Sequence, residues 1–87
     1  MPFVYILRCN DNSLYTGYTV DLNRRLLEHK QGTASKYTRA RLPVHYVHIE
    51  EYPDKSSALK RERAIKCMEK HEKEALINKN KLKVTGI

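Results

Sequence analysis

The spacing of apolar and polar positions changes along this chain, and each change marks an element. Residues 3–8, FVYILR, are β-branched and aromatic and predict a strand. The cluster CNDNS reads as a turn, and LYTGYT at 14–19 predicts a second strand, so the pair forms an antiparallel hairpin. The pattern then becomes helical. Asp21 is suited to cap a helix from Leu22 to Gln31, and Gly32 is suited to end it. TASKYTRAR at 33–41 reads as a short helix or turn closed by Pro43. VHYVHIEEY at 44–52 alternates as a third strand. Pro53 and Asp54 stop it and open a helix from Lys55 to about Met68, followed by a helical segment over 70–80. The order β-β-α-(α)-β-α-α predicts an α+β domain, a small, mainly antiparallel sheet with helices against it. Residues 1–80 form that single domain, and KLKVTGI at 81–87 is expected to be a flexible tail.

Side chains along a strand alternate between faces. If Cys9 pairs with Ser13, then Leu7 meets Tyr15 and Tyr5 meets Gly17. Both tyrosines then share a face, and Gly17 leaves open space beside the phenols. A slip of one residue would separate them. Ordinary packing of aromatic residues in strands explains the same pair without chemistry. In the first helix Leu22 and Leu26 define the buried stripe. Arg25 and His29 flank it one turn apart, while Arg24 and Glu28 fall toward solvent. A snorkelling arginine and a histidine satisfied by a backbone group are the structural alternative. In the long helix Glu62 falls between Ala58, Leu59 and Ile65, within the apolar arc, where a carboxylate is costly unless paired or bound to metal. Lys66, four residues on, offers it a surface ion pair.

Composition changes this picture in two ways. The chain has 87 residues, 40% apolar and 31% charged, with six Tyr, one Phe and no Trp, which allows one modest core. Its net charge is +7, and residues 55–83 hold ten Lys/Arg against four Glu, so the basic excess lies in the C-terminal third. Such an excess points to a polyanionic partner, nucleic acid first. No apolar run approaches the roughly 20 residues that span a bilayer, and the N-terminus lacks the features of a signal peptide. Cys9 and Cys67 are too few for a disulfide framework and are expected to be free thiols packed as small hydrophobes, in keeping with a reducing cytoplasm.

Two tyrosines, an arginine, a histidine and a carboxylate in a basic domain suit phosphodiester hydrolysis. A carboxylate can hold one Mg²⁺ that keeps several waters and takes phosphate oxygens. The metal and an arginine stabilise charge on phosphorus. A phenol or imidazole takes a proton from the attacking water.

The blocks VYIL (4–7), LYTGYT (14–19), DLNRRLLEH (21–29), SKYTR (35–39) and ALKRERAIK (58–66) resemble the GIY-YIG nuclease domain, and more narrowly its small stand-alone bacterial members. The resemblance spans residues 3–77 and implies a three-stranded antiparallel sheet flanked by helices, with metal-dependent nuclease activity. It places the catalytic roles on Tyr5, Tyr15, Arg25, His29 and Glu62, with Glu62 binding Mg²⁺ or Mn²⁺ and Gly17 as the motif glycine. Tyr18 stands where some members carry a lysine or another polar group. Tyr18, Lys36, Arg39, Arg41 and Lys66 are the candidates for contacting nucleic acid. The chain departs from the motif: GIY is FVY, YIG is YTG, and the late asparagine of repair-type members has no counterpart in KHEKEAL.

The expectation is thus a cytoplasmic, metal-dependent endonuclease acting on DNA in preference to RNA, with either tyrosine as the base. Small members lack an added DNA-binding domain, so target choice falls to this domain or to a protein partner. The rivals are a nucleic-acid-binding module that keeps the fold without cleaving and a subunit that presents a helical end to another protein.

Overall fold

The computed structural model describes the backbone of residues 1–85 and the side chains of residues 1–79. Strand β1 (Phe3–Arg8) is central, flanked by β2 (Leu14–Thr19) and β3 (His45–Glu51), both antiparallel to it. Helices α1 (Leu22–Lys30) and α2 (Lys36–Arg39) separate β2 from β3, and α3 (Lys55–Lys66) and α4 (Lys70–Thr85) follow β3. The element order and the three-stranded antiparallel sheet are those the sequence predicts. Helix α4 continues past the expected end at residue 80, and the tail expected at 81–87 lies outside the described side chains.

The hairpin register is the one that brings the tyrosines together: Tyr5 opposes Gly17 and Leu7 opposes Tyr15. The turn that sets it is closed by bonds from Cys9 N to Ser13 O and from Asn12 N to Cys9 O, each 2.9 Å. Asn12 carries φ 69°, a left-handed conformation that asparagine tolerates.

Each of the first three helices starts on a side-chain cap. Asp21, Ser35 and Asp54 accept from the backbone N–H of Arg24, Tyr37 and Ser57 respectively. Helix α1 ends where Gly32 adopts φ +79°. The N–H groups of Gly32 and Thr33 then reach back to the carbonyls of His29 and Glu28, the paired bonds of a Schellman ending.

The sheet is covered on both faces, which is why β1 reads as a nearly unbroken apolar run. On one face Val4 and Ile6 pack with Ala58 and Ile65 of α3 and Ile77 of α4. On the other, Tyr5, Leu7 and Cys9 pack with Val44, Tyr15, Tyr46 and the α1 leucines Leu22 and Leu26. A bulge in β3 sets Leu7 opposite Tyr46 and Ile6 opposite His48, so Val47 is the extra residue. Val47 then joins the α3/α4 core while Tyr46 turns onto the face of Tyr5.

Polar links tie α3 and α4 to the sheet. Arg8 makes a bidentate pair with Glu74 of α4 at 2.7 and 2.8 Å. Glu50 of β3 accepts from Arg61 at 2.9 and 3.1 Å, from His48 Nε2 at 2.7 Å and from Tyr52. These donors outweigh burial and hold the Glu50 carboxyl down to about 2.

Two expectations need correction. Leu59 is 39% exposed, because α3 turns it outward from the sheet. Cys67 is an exposed free thiol at the end of α3, and only Cys9 is packed in a core.

Candidate active site

The register of the hairpin and the pitch of α1 together build one aromatic cluster. Tyr5 and Tyr15 lie diagonally on adjacent strands, with ring centroids 6.5 Å apart. His29, in the last turn of α1, meets both rings edge-on, at 5.7 Å from Tyr5 and 5.4 Å from Tyr15. Tyr46 closes a third side, its ring edge-on to Tyr5 at 5.3 Å. Its hydroxyl donates to the Leu22 carbonyl at 2.7 Å, which fixes the start of α1 against β3.

Gly17 has a sharper role than leaving space. The ring of Tyr5 lies across it, and any Cβ there would overlap the Tyr5 hydroxyl and Cζ. The room beside the phenols is therefore filled by Tyr5 itself.

The Tyr5 hydroxyl and His29 Nε2 are 2.8 Å apart, and His29 Nδ1 lies 2.9 Å from Thr38 Oγ1. Tyr5, His29 and Thr38 are all buried. Burial is the main cause of the shifts here. It raises the Tyr5 phenol well above its usual range, with Tyr15, Tyr46 and Glu62 adding to the rise and Arg25 opposing it. It lowers His29, helped by the Arg25 charge and opposed by Glu28, so the imidazole is held neutral near pH 7. Tyr46 is pushed up to about 12 by burial.

Arg25 therefore acts on Tyr5, His29 and Tyr46 at once. Its Nε is buried without a hydrogen-bond partner among the described residues and lies 3.5 Å from Glu28 Oε1, an ion-pair distance. Glu62 comes from α3, on the far side of the sheet, yet its charge is felt at Tyr5. Its side chain is only 17% exposed, and Lys66 Nζ is 3.4 Å away. The apolar-arc position and the ion pair with Lys66 are both real.

The metal question rests on donor chemistry. Glu62 is a lone carboxylate, and among the described residues no three His, Cys, Asp or Glu side chains cluster to hold a metal. A closed protein cage is not available. A single carboxylate does fit Mg²⁺ or Mn²⁺ that keeps its waters and takes its remaining ligands from substrate phosphate.

The five predicted catalytic residues thus fall into a contacting set, Tyr5, Tyr15 and His29, and a pair, Arg25 and Glu62, that acts on Tyr5 by charge. The predicted nucleic-acid contacts do not form one patch. Lys36 and Arg39 are exposed on α2. Arg41 is held by Asp11 at 3.1 Å and by the Tyr37 carbonyl at 3.0 Å, with its guanidinium 3.9 Å from the Tyr37 ring centroid. Lys66 pairs with Glu62, and Tyr18 packs against the α3/α4 core, on the opposite face from Tyr5.

Three residues of the cluster escape sequence reasoning. Tyr46 depends on the bulge in β3, and Tyr37, stacked on Tyr15 at 6.0 Å, depends on where α2 docks. Thr38 is a β-branched residue in a four-residue helix, and only its place in SKYTR hints at a role.

A basic α+β domain with two tyrosines, a buried histidine, an arginine and a lone carboxylate around one sheet defines a class. The chain belongs to the GIY-YIG catalytic domain family, which it matches over residues 1–81. This is a nuclease superfamily whose members act on nucleic acids and generally depend on a divalent metal. Within it the chain is similar to UPF0213 proteins. It is 48% identical over 75 residues to that of Natronomonas pharaonis, covering 86% of this chain and 88% of that one. It is 52% identical over 75 residues to that of Staphylococcus aureus, covering 86% and 92%. The solution NMR structure of the UPF0213 protein of Bacillus halodurans superposes with a TM-score of 0.59 at 42% identity, over 90% of this chain and 84% of that one. An NMR structure from E. faecalis gives 0.63 at 40% identity, over 92% and 85%. Among the described residues no helix is long and apolar enough to cross a membrane.

Proposed function

We propose that this protein is a metal-dependent endonuclease that hydrolyses phosphodiester bonds in nucleic acid, in the cytoplasm, with DNA the first substrate to test. The observation that carries the reading is the buried 2.8 Å contact between the Tyr5 hydroxyl and His29 Nε2. A phenol whose ionisation is pushed up by burial is a poor base by itself. Coupled to a neutral imidazole it need not ionise. As the attacking water gives a proton to the Tyr5 oxygen, Tyr5 gives its own proton to His29 Nε2. The water oxygen forms the new bond to phosphorus. The bond to the leaving oxygen breaks with its electron pair on that oxygen, which takes a proton from solvent. Tyr5 thereby becomes the favoured base of the two tyrosines, and Tyr15, against the His29 ring, orients the water and phosphate.

Arg25 supplies positive charge beside this couple, and its side chain, 36% exposed, can offer its guanidinium to a phosphoryl oxygen while Glu28 stays 3.5 Å from Nε. Glu62, with water and substrate phosphate, would hold the divalent ion, which when bound supplies further charge against the developing phosphoryl charge. Lys36 and Arg39 remain exposed for backbone contacts, and a protein partner would narrow the choice of target.

The Glu62–Lys66 pair favours one other reading, a binding module in which Lys66 permanently neutralises the carboxylate. A cleavage screen separates the two. Single-stranded, duplex, branched and flapped DNA and RNA are incubated with Mg²⁺ or Mn²⁺, with Glu62→Ala beside the native protein. The nuclease cleaves at least one substrate only with metal, and Glu62→Ala does not. Salt-sensitive binding without cleavage of any substrate would establish the binding module instead.

A further inference from the structure

The Tyr5–His29 contact works as a proton relay in only one of two hydrogen arrangements. Four groups lie in sequence: the Tyr5 hydroxyl, His29 Nε2, His29 Nδ1 and the Thr38 hydroxyl, with spacings of 2.8 Å and 2.9 Å at the two ends of the imidazole. Beyond Thr38 the chain continues, because its hydroxyl donates to the Ser35 carbonyl at 3.3 Å. A neutral imidazole carries one N–H, and the partner of one nitrogen decides which.

Suppose the hydrogens point from Tyr5 toward Ser35. Tyr5 then donates to Nε2, Nδ1–H donates to Thr38, and Thr38 donates to the Ser35 carbonyl. Every hydrogen of three buried side chains has an acceptor. Reverse the direction and Thr38 donates to Nδ1 while Nε2–H donates to the Tyr5 oxygen. The Tyr5 hydrogen then has no acceptor among the described residues, at a site where an unmade hydrogen bond is costly. The reversed imidazole also has no lone pair facing Tyr5 and cannot take its proton.

We propose that Thr38 is the positioning residue of the site: by accepting from His29 Nδ1–H while donating to Ser35, it fixes the tautomer that leaves Nε2 free to receive the Tyr5 proton. Thr38 touches neither water nor phosphate in this role and acts through His29. The short helix α2 sets up both contacts of Thr38. Ser35 caps α2 and offers its carbonyl, and one helical turn sets Thr38 over that carbonyl and against His29. When His29 receives the proton, Thr38 is already placed to accept from the resulting imidazolium.

This proposal rests on the nuclease reading for its consequence, but not for its test. Long-range ¹H–¹⁵N spectra of histidine-labelled protein distinguish a protonated Nδ1 from a protonated Nε2 with no substrate present. In the native protein, at a pH where His29 is neutral, Nδ1 is expected to be protonated and Nε2 to carry the lone pair. Thr38→Val keeps the shape and removes the acceptor, so Nδ1–H loses its partner and the Nε2–H form should gain population at its expense, whereas Thr38→Ser should keep the native form. On a cleaved substrate, Thr38→Val should lower kcat by about tenfold or more with KM little changed, because the imidazole is held in the wrong tautomer. Thr38→Ser should restore the rate. A native spectrum showing Nε2–H overturns the proposal, whether or not the valine variant folds. So does a folded Thr38→Val protein that keeps Nδ1–H. A protein with the predicted tautomer that cleaves nothing would sink the nuclease reading alone.

Discussion

Gly17 lies directly under the ring of Tyr5, on the neighbouring strand and in register with it, so closely that a single methyl group there would overlap the phenol. The glycine is thus the floor on which the Tyr5 ring rests. Gly17→Ala must push Tyr5 away from His29 or distort the hairpin. We expect a loss of about 1–3 kcal/mol, the usual cost of overpacking, together with loss of cleavage. Denaturant unfolding checks the first part. A Gly17→Ala protein as stable as the native one would show that the close approach does not exist.

Tyr5→Phe removes one oxygen and strands the lone pair of His29 Nε2 in a buried site. The expected cost is about 1–3 kcal/mol of stability, and about 10²–10⁴-fold in cleavage rate if Tyr5 passes the proton. Tyr46→Phe is the control, since its hydroxyl serves the Leu22 carbonyl. It should cost about 0.5–1.5 kcal/mol and leave a larger share of the rate. Equal rate losses for the two variants would remove the distinction drawn between them.

Glu62→Gln keeps the size of the side chain and removes its charge. Cleavage should vanish. Stability should change by only a few tenths of a kcal/mol, the worth of an i,i+4 pair with Lys66. Nucleic-acid affinity should persist and still fall with salt, because it comes from Lys and Arg contacts to phosphate. Single-turnover cleavage beside a thermal melt measures both. Native-rate cleavage by the variant would sink the metal-site assignment.

Acid should destabilise the fold in two stages. His29 is held below its usual value of 6.5, so the unfolded chain binds more protons and stability falls as pH drops through that region. Glu50 is held at about 2 against an ordinary 4.5. Its contribution is present above about 4.5 and is lost as pH falls toward about 2, on the order of 3 kcal/mol in all. Glu50→Gln should be less stable than the native protein at neutral pH and should lack the second stage. Urea unfolding at a series of pH values tests this, and an unchanged acid slope in Glu50→Gln would place the effect elsewhere.

What could be read from the residues was whatever depends on local spacing. Period-two alternation puts Tyr5 and Tyr15 on one face once Cys9 pairs with Ser13, and the structure has the register that this pairing requires. Capping residues and Gly32 bound the helices to within a few residues. The helical period alone separates Arg25 and His29 from Arg24, and marks Glu62 as out of place. These are statements about one element or two consecutive ones, where chain geometry leaves few choices.

The tertiary structure decided what depends on contacts between distant segments. The bulge that turns Tyr46 toward Tyr5 inserts one residue into β3, and no local pattern announces it. Alternation sends Tyr18 to the face opposite Tyr15, and the covering of that face by α3 and α4 commits it to a core. Docking of α2 places Thr38 against His29 and Tyr37 against Tyr15. That docking adds Thr38 Oγ1 to the Tyr5–His29 contact and makes a chain of closely spaced polar groups. The sequence alone determined which residue types could meet. Only packing determined which atoms do, because a hydrogen bond requires a separation set by the whole fold rather than by spacing along the chain.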